Sequence, residues 1–196
     1  MCIRDSENVG RVLTYLDANG LSENTIVIYS SDQGFYLGEH GWYDKRWMYE
    51  ESFRMPFLAR WPGVIAPGAK PEQLIQNIDY APTFLEIAGL EIPAELQGRS
   101  LISLFKGKAE GWRESLYYSY YEFGEHRVPQ HFGVRTARHK LMYFPRSKEW
   151  NLFDLKTDPH EMKSVHAERE YLKVRRELTE EFRRLREHFG APDFAE

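Results

Sequence analysis

Four polar side chains in one short stretch are of the types that bind an anion beside a metal ion. Asp32 and Gln33 follow directly after the apolar run Thr25–Ser30, and His40 and Lys45 lie in the glycine-containing loop that comes next. Carboxylate and amide oxygens are the ligands that hard cations such as Ca²⁺ and Mg²⁺ take. A lysine ammonium is a compact charge that can contact an anionic oxygen near such a metal. The stretch therefore predicts a metal-and-anion site.

Each of these residues also has an ordinary structural interpretation. Asp32 can cap a turn in which Gly34 supplies a positive φ, and a short motif alone has many false matches. Lys45 can be a surface lysine paired with its neighbour Asp44, and His40 can fill a polar loop. Spacing alone leaves both interpretations open.

The elements around the site predict an α/β fold. A helix is expected over residues 7–18, with Ser6 as its N-cap, followed by a buried strand at Thr25–Ser30. The continuous apolar character of that strand favours a central position in a parallel sheet, and open α/β sheets bind ligands at the carboxyl ends of such strands. The remaining predicted elements are strands at Met55–Trp61 and Gln73–Ile78 and a helix at Ala81–Ala88 that begins after Asp79.

Beyond Gly107 the sequence changes to short aromatic strands. The predicted strands are Ser115–Phe123, His131–Thr136, Lys140–Phe144 and Trp150–Leu155, and the amphipathic helix Glu168–Phe189 follows them. An antiparallel sheet with a long helix against it is an α+β subdomain. We therefore expect an α/β part at residues 1–107 and an α+β subdomain at residues 108–196.

Composition excludes several classes of partner. Lys and Arg number 26 against 30 Asp and Glu, so the net charge of −4 gives no electrostatic case for nucleic acid or an anionic membrane. No run approaches the roughly 20 apolar residues of a membrane span. The only cysteine, Cys2, rules out an internal disulfide. The first six residues lead into a helix without a preceding element, so we expect that the chain starts inside a longer protein.

Several motifs in a fixed order resemble the carboxyl-terminal half of the type I sulfatases in the alkaline phosphatase superfamily. The likeness is strongest to bacterial glycosaminoglycan and N-acetylglucosamine 6-sulfatases. The motifs are Asp32-Gln33-Gly34, Gly38-Glu39-His40-Gly41, Asp44-Lys45-Arg46 with Tyr49-Glu50-Glu51, Arg60-Trp61-Pro62-Gly63, Asp79-Tyr80-Ala81-Pro82-Thr83, Gln97-Gly98-Arg99-Ser100-Leu101, Gly133-Val134-Arg135-Thr136 and Leu152-Phe153-Asp154-Leu155 with Asp158-Pro159 and Glu161. They extend from about Thr25 to about Val165, and together they are more specific than any one alone.

The resemblance implies the carboxyl-terminal part of an alkaline-phosphatase-like α/β sandwich, and it implies roles for individual residues. Asp32 and Gln33 are then ligands of one Ca²⁺, and Lys45 contacts the sulfate as a catalytic and substrate-binding residue. His40 and His131 are expected near the substrate, a sulfated carbohydrate. The family habit is a periplasmic or extracellular location.

The resemblance also implies parts that lie outside this sequence. The family's nucleophile is a formylglycine made from Cys or Ser in a Cys/Ser-x-Pro-x-Arg motif, and Cys2 is followed by Ile3, Arg4 and Asp5 instead. Two Asp ligands of the metal are also expected upstream. We therefore expect the chain alone to be inactive. Two alternatives stay open: a phosphodiesterase or phosphonate monoester hydrolase of the same superfamily, and a non-catalytic module that binds sulfated glycans.

Overall fold

The first helix lies ahead of a small two-stranded sheet. The structure is a computed structural model that describes residues 3–122 and 124–191. Helix α1 covers Ile3–Ala18, so Ser6 lies inside the helix and is not its N-cap, contrary to the prediction. Leu13 and Leu16 are half-buried, whereas Val12 is 56% exposed. No helix among the described residues is both long and apolar enough to cross a bilayer.

Strands β1 (Val27–Ser30) and β2 (Phe57–Arg60) form an antiparallel pair. Ser30 lies opposite Phe57 and Val27 lies opposite Arg60. The prediction of a parallel arrangement is wrong for this pair, although the mixed α/β class is confirmed. The connection from β1 to β2 contains only the one-turn helix α2 (Glu50–Phe53) and a 3-10 turn at Glu39–Gly41. It therefore folds back on itself and does not supply the crossover that parallel strands need.

The segment that follows β2 contains no strand at the predicted position. Residues 71–76 form neither helix nor strand, and a 3-10 helix covers Asn77–Asp79. The carbonyl of Leu74 accepts a hydrogen bond of 2.8 Å from the indole of Trp112, so a side chain takes the place of a strand partner. Helices α3 (Tyr80–Ile87) and α4 (Ile102–Phe105) complete this part of the chain.

The predicted antiparallel sheet with its long helix is confirmed. The four strands are β3 (Ser115–Tyr120), β4 (His131–Thr136), β5 (His139–Phe144) and β6 (Glu149–Asp154), and each pairs with the next along the chain. Helix α5 covers Leu172–His188. One core joins the sheet to this helix, and its buried members are Phe132, Val134, Leu141, Leu152, Leu178, Phe182 and Leu185.

The opposite face of the same sheet binds the connection between β1 and β2. Successive residues of a strand point to opposite faces, so Met142 lies on the other side from Leu141. There it packs with Met48, which is fully buried, and with Phe144 and Phe153. A side chain at Gly133 would place a Cβ 2.5 Å from the sulfur of Met48. The four-stranded sheet thus holds the loop that carries the predicted site.

Candidate functional site

The end of β1 brings together two of the predicted site residues. The ammonium of Lys45 forms an ion pair with the carboxylate of Asp32, just beyond the last residue of the strand. The Asp32 side chain is 70% exposed and that of Lys45 is 34% exposed. The hydrogen bond from Lys45 lowers the pKa of Asp32. An accessible carboxylate therefore lies beside an accessible cation.

This pairing differs from the structural alternative for Lys45. The side chain of Asp44 accepts hydrogen bonds from the backbone N–H of Lys45 and, at 2.8 Å, from the guanidinium of Arg46. Asp44 thus fixes the turn, and the ammonium of Lys45 is directed to Asp32.

Gly34 is required for the close approach of two backbone segments. Its φ is not in the left-handed region, so the structural alternative of a positive φ does not hold. A Cβ at this position would lie 2.0 Å from the carbonyl oxygen of Glu51. The N–H of Gly34 donates to the carbonyl of Ser52 at 2.7 Å. Gln33 is half-buried next to it, between the exposed Asp32 and this backbone contact.

His40 lies in a tight loop and faces inward. The loop closes through hydrogen bonds from Tyr36 N–H to the Asp44 carbonyl at 2.8 Å and from Gly38 N–H to the Trp42 carbonyl at 3.0 Å. His40 has a left-handed backbone with φ of 52°. Its ring stacks on Tyr49 with centroids 4.2 Å apart, and its Nε2 lies 3.3 Å from the carboxylate of Glu51. The structure does not bring His40 into contact with Asp32 or Lys45.

His131 is fully buried, with both ring nitrogens bound to the backbone. Nδ1 donates to the carbonyl of Pro129 at 2.9 Å, and Nε2 accepts from the N–H of Met48 at 3.1 Å. The rings of Trp47 and Phe144 stack on it at 5.4 and 5.6 Å. These contacts place it as a support of the loop at Met48. Burial lowers its pKa to about 4.

We expect His131 to make folding stability increase with pH between about 4 and 6.5. In this window the imidazole is protonated in the unfolded chain and neutral in the folded chain, so stability rises as protons are removed. The free energy of unfolding therefore has its full value above pH 6.5 and decreases as the pH falls to 4. The total change is about 3 kcal/mol. Urea denaturation at a series of pH values measures the slope.

Replacement His131→Gln should reduce this slope, because it removes the titrating group and keeps a hydrogen-bond acceptor. His160→Gln is the matched control, because the side chain of His160 is 78% exposed. A parent-like slope in His131→Gln would contradict the assignment.

The structure contains a buried ionic cluster that the sequence did not predict. The ammonium of Lys140 lies 2.8 Å from a carboxylate oxygen of Glu50 and 2.8 Å from one of Glu161. The guanidinium of Arg135 lies 3.1 Å from Glu50. Burial raises the pKa of Glu161. Burial opposes ionisation of Glu50 as well, but Lys140 and Arg135 outweigh it and lower the pKa of Glu50. Lysine at an inward position of a buried strand was the signal for this cluster.

A second polar cluster adjoins Arg46. The carboxylate of Glu122 lies 2.9 Å from Nδ1 of His126 and 3.9 Å from the guanidinium of Arg46. Tyr120 donates its hydroxyl to the same carboxylate at 2.5 Å. The loop before β4 therefore reaches the loop that carries Lys45.

Comparison with known proteins gives the family. The family model described as N-sulphoglucosamine sulphohydrolase, C-terminal, matches residues 38–188. The chain belongs to the sulfatase family. This sulfatase chain is 46% identical over 177 residues to the N-acetylglucosamine-6-O-sulfatase of Bacteroides thetaiotaomicron, a match that covers 88% of the chain and 32% of the relative.

Two solved structures share the fold of the sulfatase chain. One, described as a complex with its substrate D-glucosamine-2-N,6-O-disulfate, matches with a TM-score of 0.91 and 43% identity, covering 96% of this chain and 39% of that one. The phosphonate monoester hydrolase of Agrobacterium radiobacter matches with a TM-score of 0.80 and 25% identity over 92% of this chain and 38% of that one. The sulfatase chain thus spans between about a third and two fifths of the length of these relatives.

Proposed function

We propose that this chain is the carboxyl-terminal portion of an enzyme that hydrolyses a sulfate ester of a sulfated amino sugar. The observation that carries the proposal is the accessible Lys45–Asp32 pair at the end of β1. The similarity to an N-acetylglucosamine-6-O-sulfatase and to a solved enzyme in complex with a disulfated glucosamine substrate supports this substrate class. We further propose that residues 1–107 belong to the catalytic α/β domain and residues 108–196 form its supporting subdomain.

The donor chemistry at the strand end fits a hard cation. Asp32 offers an accessible carboxylate, and the adjacent Gln33 offers an amide oxygen, so these two residues would hold Ca²⁺. When bound, the ion supplies positive charge to the sulfuryl oxygens. Two donors are fewer than the six to eight that Ca²⁺ takes. The other ligands and the formylglycine nucleophile are proposed to come from a portion of the enzyme outside this chain.

Lys45 is proposed to bind a sulfate oxygen and to stabilise the charge that develops on it. Its ammonium is already directed to the strand end by Asp32, and preorganised charge is the main source of such stabilisation. His40 is proposed to lie at the edge of the pocket, where its contact with Glu51 orients the loop. His131 is proposed to support the same loop from the antiparallel sheet, because its Nε2 accepts a hydrogen bond from the N–H of Met48.

The complete protein is proposed to be periplasmic or extracellular and to take a sulfated carbohydrate as its partner. The experiment is an assay of the complete enzyme against N-acetylglucosamine 6-sulfate and the matching 6-phosphate. We expect sulfate release that stops on chelation of Ca²⁺ and returns when Ca²⁺ is added. The chain alone should release no sulfate. Release of sulfate by the chain alone would contradict the proposed dependence on the outside portion.

A second candidate is hydrolysis of phosphonate or phosphate esters. The fold match to a phosphonate monoester hydrolase favours it, because sulfate and phosphate esters are both tetrahedral anions. Preferential turnover of the phosphorus ester in the paired assay would replace the sulfatase proposal. Binding of the sulfated sugar by the complete protein without turnover of either ester would instead indicate a glycan-binding module.

A further inference from the structure

The backbone that follows Lys45 is held almost entirely by side chains. Four successive carbonyls accept a hydrogen bond from a side chain, and none of the four is paired in a strand. The donors are Ser52 Oγ to Lys45, Tyr118 hydroxyl to Arg46 at 2.7 Å, Tyr36 hydroxyl to Trp47 at 3.0 Å and Lys140 Nζ to Met48 at 2.6 Å. A loop without ladder partners has its position set by such contacts. Two of the four donors belong to the antiparallel sheet.

Lys140 is the only charged donor of the four, and its side chain is fully buried. A buried ammonium is costly unless it is paired and hydrogen-bonded. Its partners are the carboxylates of Glu50 and Glu161 and the carbonyl of Met48, so each partner is fixed relative to the others. Glu161 in turn accepts the backbone N–H of Glu50 at 2.6 Å. The cluster therefore binds the Glu50 side chain and also the backbone of the segment from Met48 to Glu50.

Both backbone groups of Met48 are hydrogen-bonded to side chains of the antiparallel sheet. Its carbonyl accepts from Lys140 on β5, and its N–H donates to His131 on β4. Its side chain packs into the space that Gly133 leaves open. One residue of the loop is thus fixed to two adjacent strands through backbone and side chain.

The fixed segment leads back to the end of β1. The hydroxyl of Ser52 donates a hydrogen bond to the carbonyl of Lys45. The carbonyl of Ser52 accepts a hydrogen bond from the N–H of Gly34. Gly34 directly follows Asp32 and Gln33. A shift of the Met48–Glu50 segment would therefore move Lys45 relative to Asp32.

We infer that Lys140, together with Glu161, is a positioning residue that fixes the Lys45 loop against the end of β1. This assigns a role to two stretches whose motifs had none, Gly133–Thr136 with its neighbour Lys140, and Asp158–Glu161. The inference rests on the proposed function only for what the loop binds; the positioning itself concerns the fold of this chain.

Amide hydrogen exchange of the chain with Lys140→Met tests the inference. Methionine keeps the length of the side chain and removes the charge and the donor. We expect exchange at the amides of Gly34 and Glu50 to become about tenfold faster or more, while the amides of Phe182 and Leu185 in α5 stay within about twofold of the parent. Lys163→Met is the matched control, because the Lys163 side chain is 79% exposed and its ammonium forms a surface ion pair with Glu168. It should leave all four rates unchanged.

Equal acceleration in the loop and in α5 would overturn the inference, because it would mean that Lys140 only raises global stability. Unchanged loop rates would overturn it as well. Glu161→Gln retains the shape of the cluster and should accelerate hydrogen exchange at the same loop amides to a smaller extent. If the Lys140→Met chain does not fold, the exchange rates of Glu161→Gln test the inference by the same criteria.

The complete enzyme separates this inference from the proposed function. With Lys140→Met, we expect kcat for the sulfate ester to fall while the Lys163→Met enzyme keeps the parent value. A parent enzyme that hydrolyses no sulfate ester would overturn the proposed function, and selective loop exchange would still support the positioning role.

Discussion

Replacing Lys45 by methionine in the complete enzyme should lower kcat/KM for sulfate ester hydrolysis by about 10²–10³-fold, as loss of one preorganised charge partner does in other enzymes. Methionine retains most of the volume of lysine but carries no charge. The carboxylate of Asp32 would then face the anionic substrate without the ammonium that now pairs with it. Steady-state kinetics with N-acetylglucosamine 6-sulfate measure the loss, and most of it should lie in kcat if Lys45 acts on the transition state.

The matched control for this prediction is Lys70→Met, at an exposed lysine outside the site. It should keep the parent kcat/KM. A second measurement needs no activity: the pKa of Asp32, which the hydrogen bond from Lys45 lowers, should rise towards its ordinary value in the Lys45→Met chain. Parent-like turnover by Lys45→Met would contradict the role given to Lys45, and an unchanged Asp32 titration would contradict the ion pair itself.

The sequence was most informative where local pattern and packing agree. Strand His131–Thr136 has the predicted bounds, and helix Leu172–His188 lies within the predicted Glu168–Phe189. The reason is that Leu178, Phe182 and Leu185 recur on one face of the helix and all reach the core of the sheet. Periodicity reports such a face directly.

The direction of strand pairing and the contacts between distant residues could not be predicted from hydrophobic periodicity. The apolar run at Thr25–Ser30 is compatible with either strand direction, and only the course of the β1–β2 connection makes the pair antiparallel. The cluster of Lys140, Glu50 and Glu161 joins residues that are far apart in sequence, so the inward position of Lys140 in its strand could not show which carboxylates it would meet. For the site, spacing placed Asp32 and Lys45 in one region, but it did not identify them as partners.

Two of the sequence motifs meet at a buried carboxylate, Asp79. It precedes α3 as predicted, but its side chain makes no capping bond to that helix. It instead accepts from the backbone N–H groups of Gln76 and Arg99, each at 2.8 Å, and from the guanidinium of Arg113 at 2.7 Å. Gly98 permits this approach, because a Cβ there would lie 1.9 Å from the carbonyl oxygen of Ile78. Asp79 thus joins the turn before α3 to the segment before α4 and to the start of the antiparallel sheet.

Asp79→Asn should therefore lower the free energy of unfolding by about 3–5 kcal/mol, the cost of removing one partner of a buried ion pair. The Asp79 side chain is fully buried and that of Arg113 is 13% exposed, so water cannot replace the lost charge. Asparagine has a single acceptor oxygen for these donors, and its NH₂ group would face an N–H donor. Chemical denaturation of the 196-residue chain measures the change.

Asp17→Asn is the matched control, because it breaks another Asp–Arg pair in which the side chains of Asp17 and Arg60 are 59% and 41% exposed. Solvent already screens that pair, so the denaturation midpoint should stay close to the parent value. Equal midpoints for the two variants would show that the Asp79–Arg113 pair contributes no more than a surface contact. A large loss confined to Asp79→Asn would show that this buried carboxylate stabilises the packing of the α3 and α4 segment against the start of the antiparallel sheet.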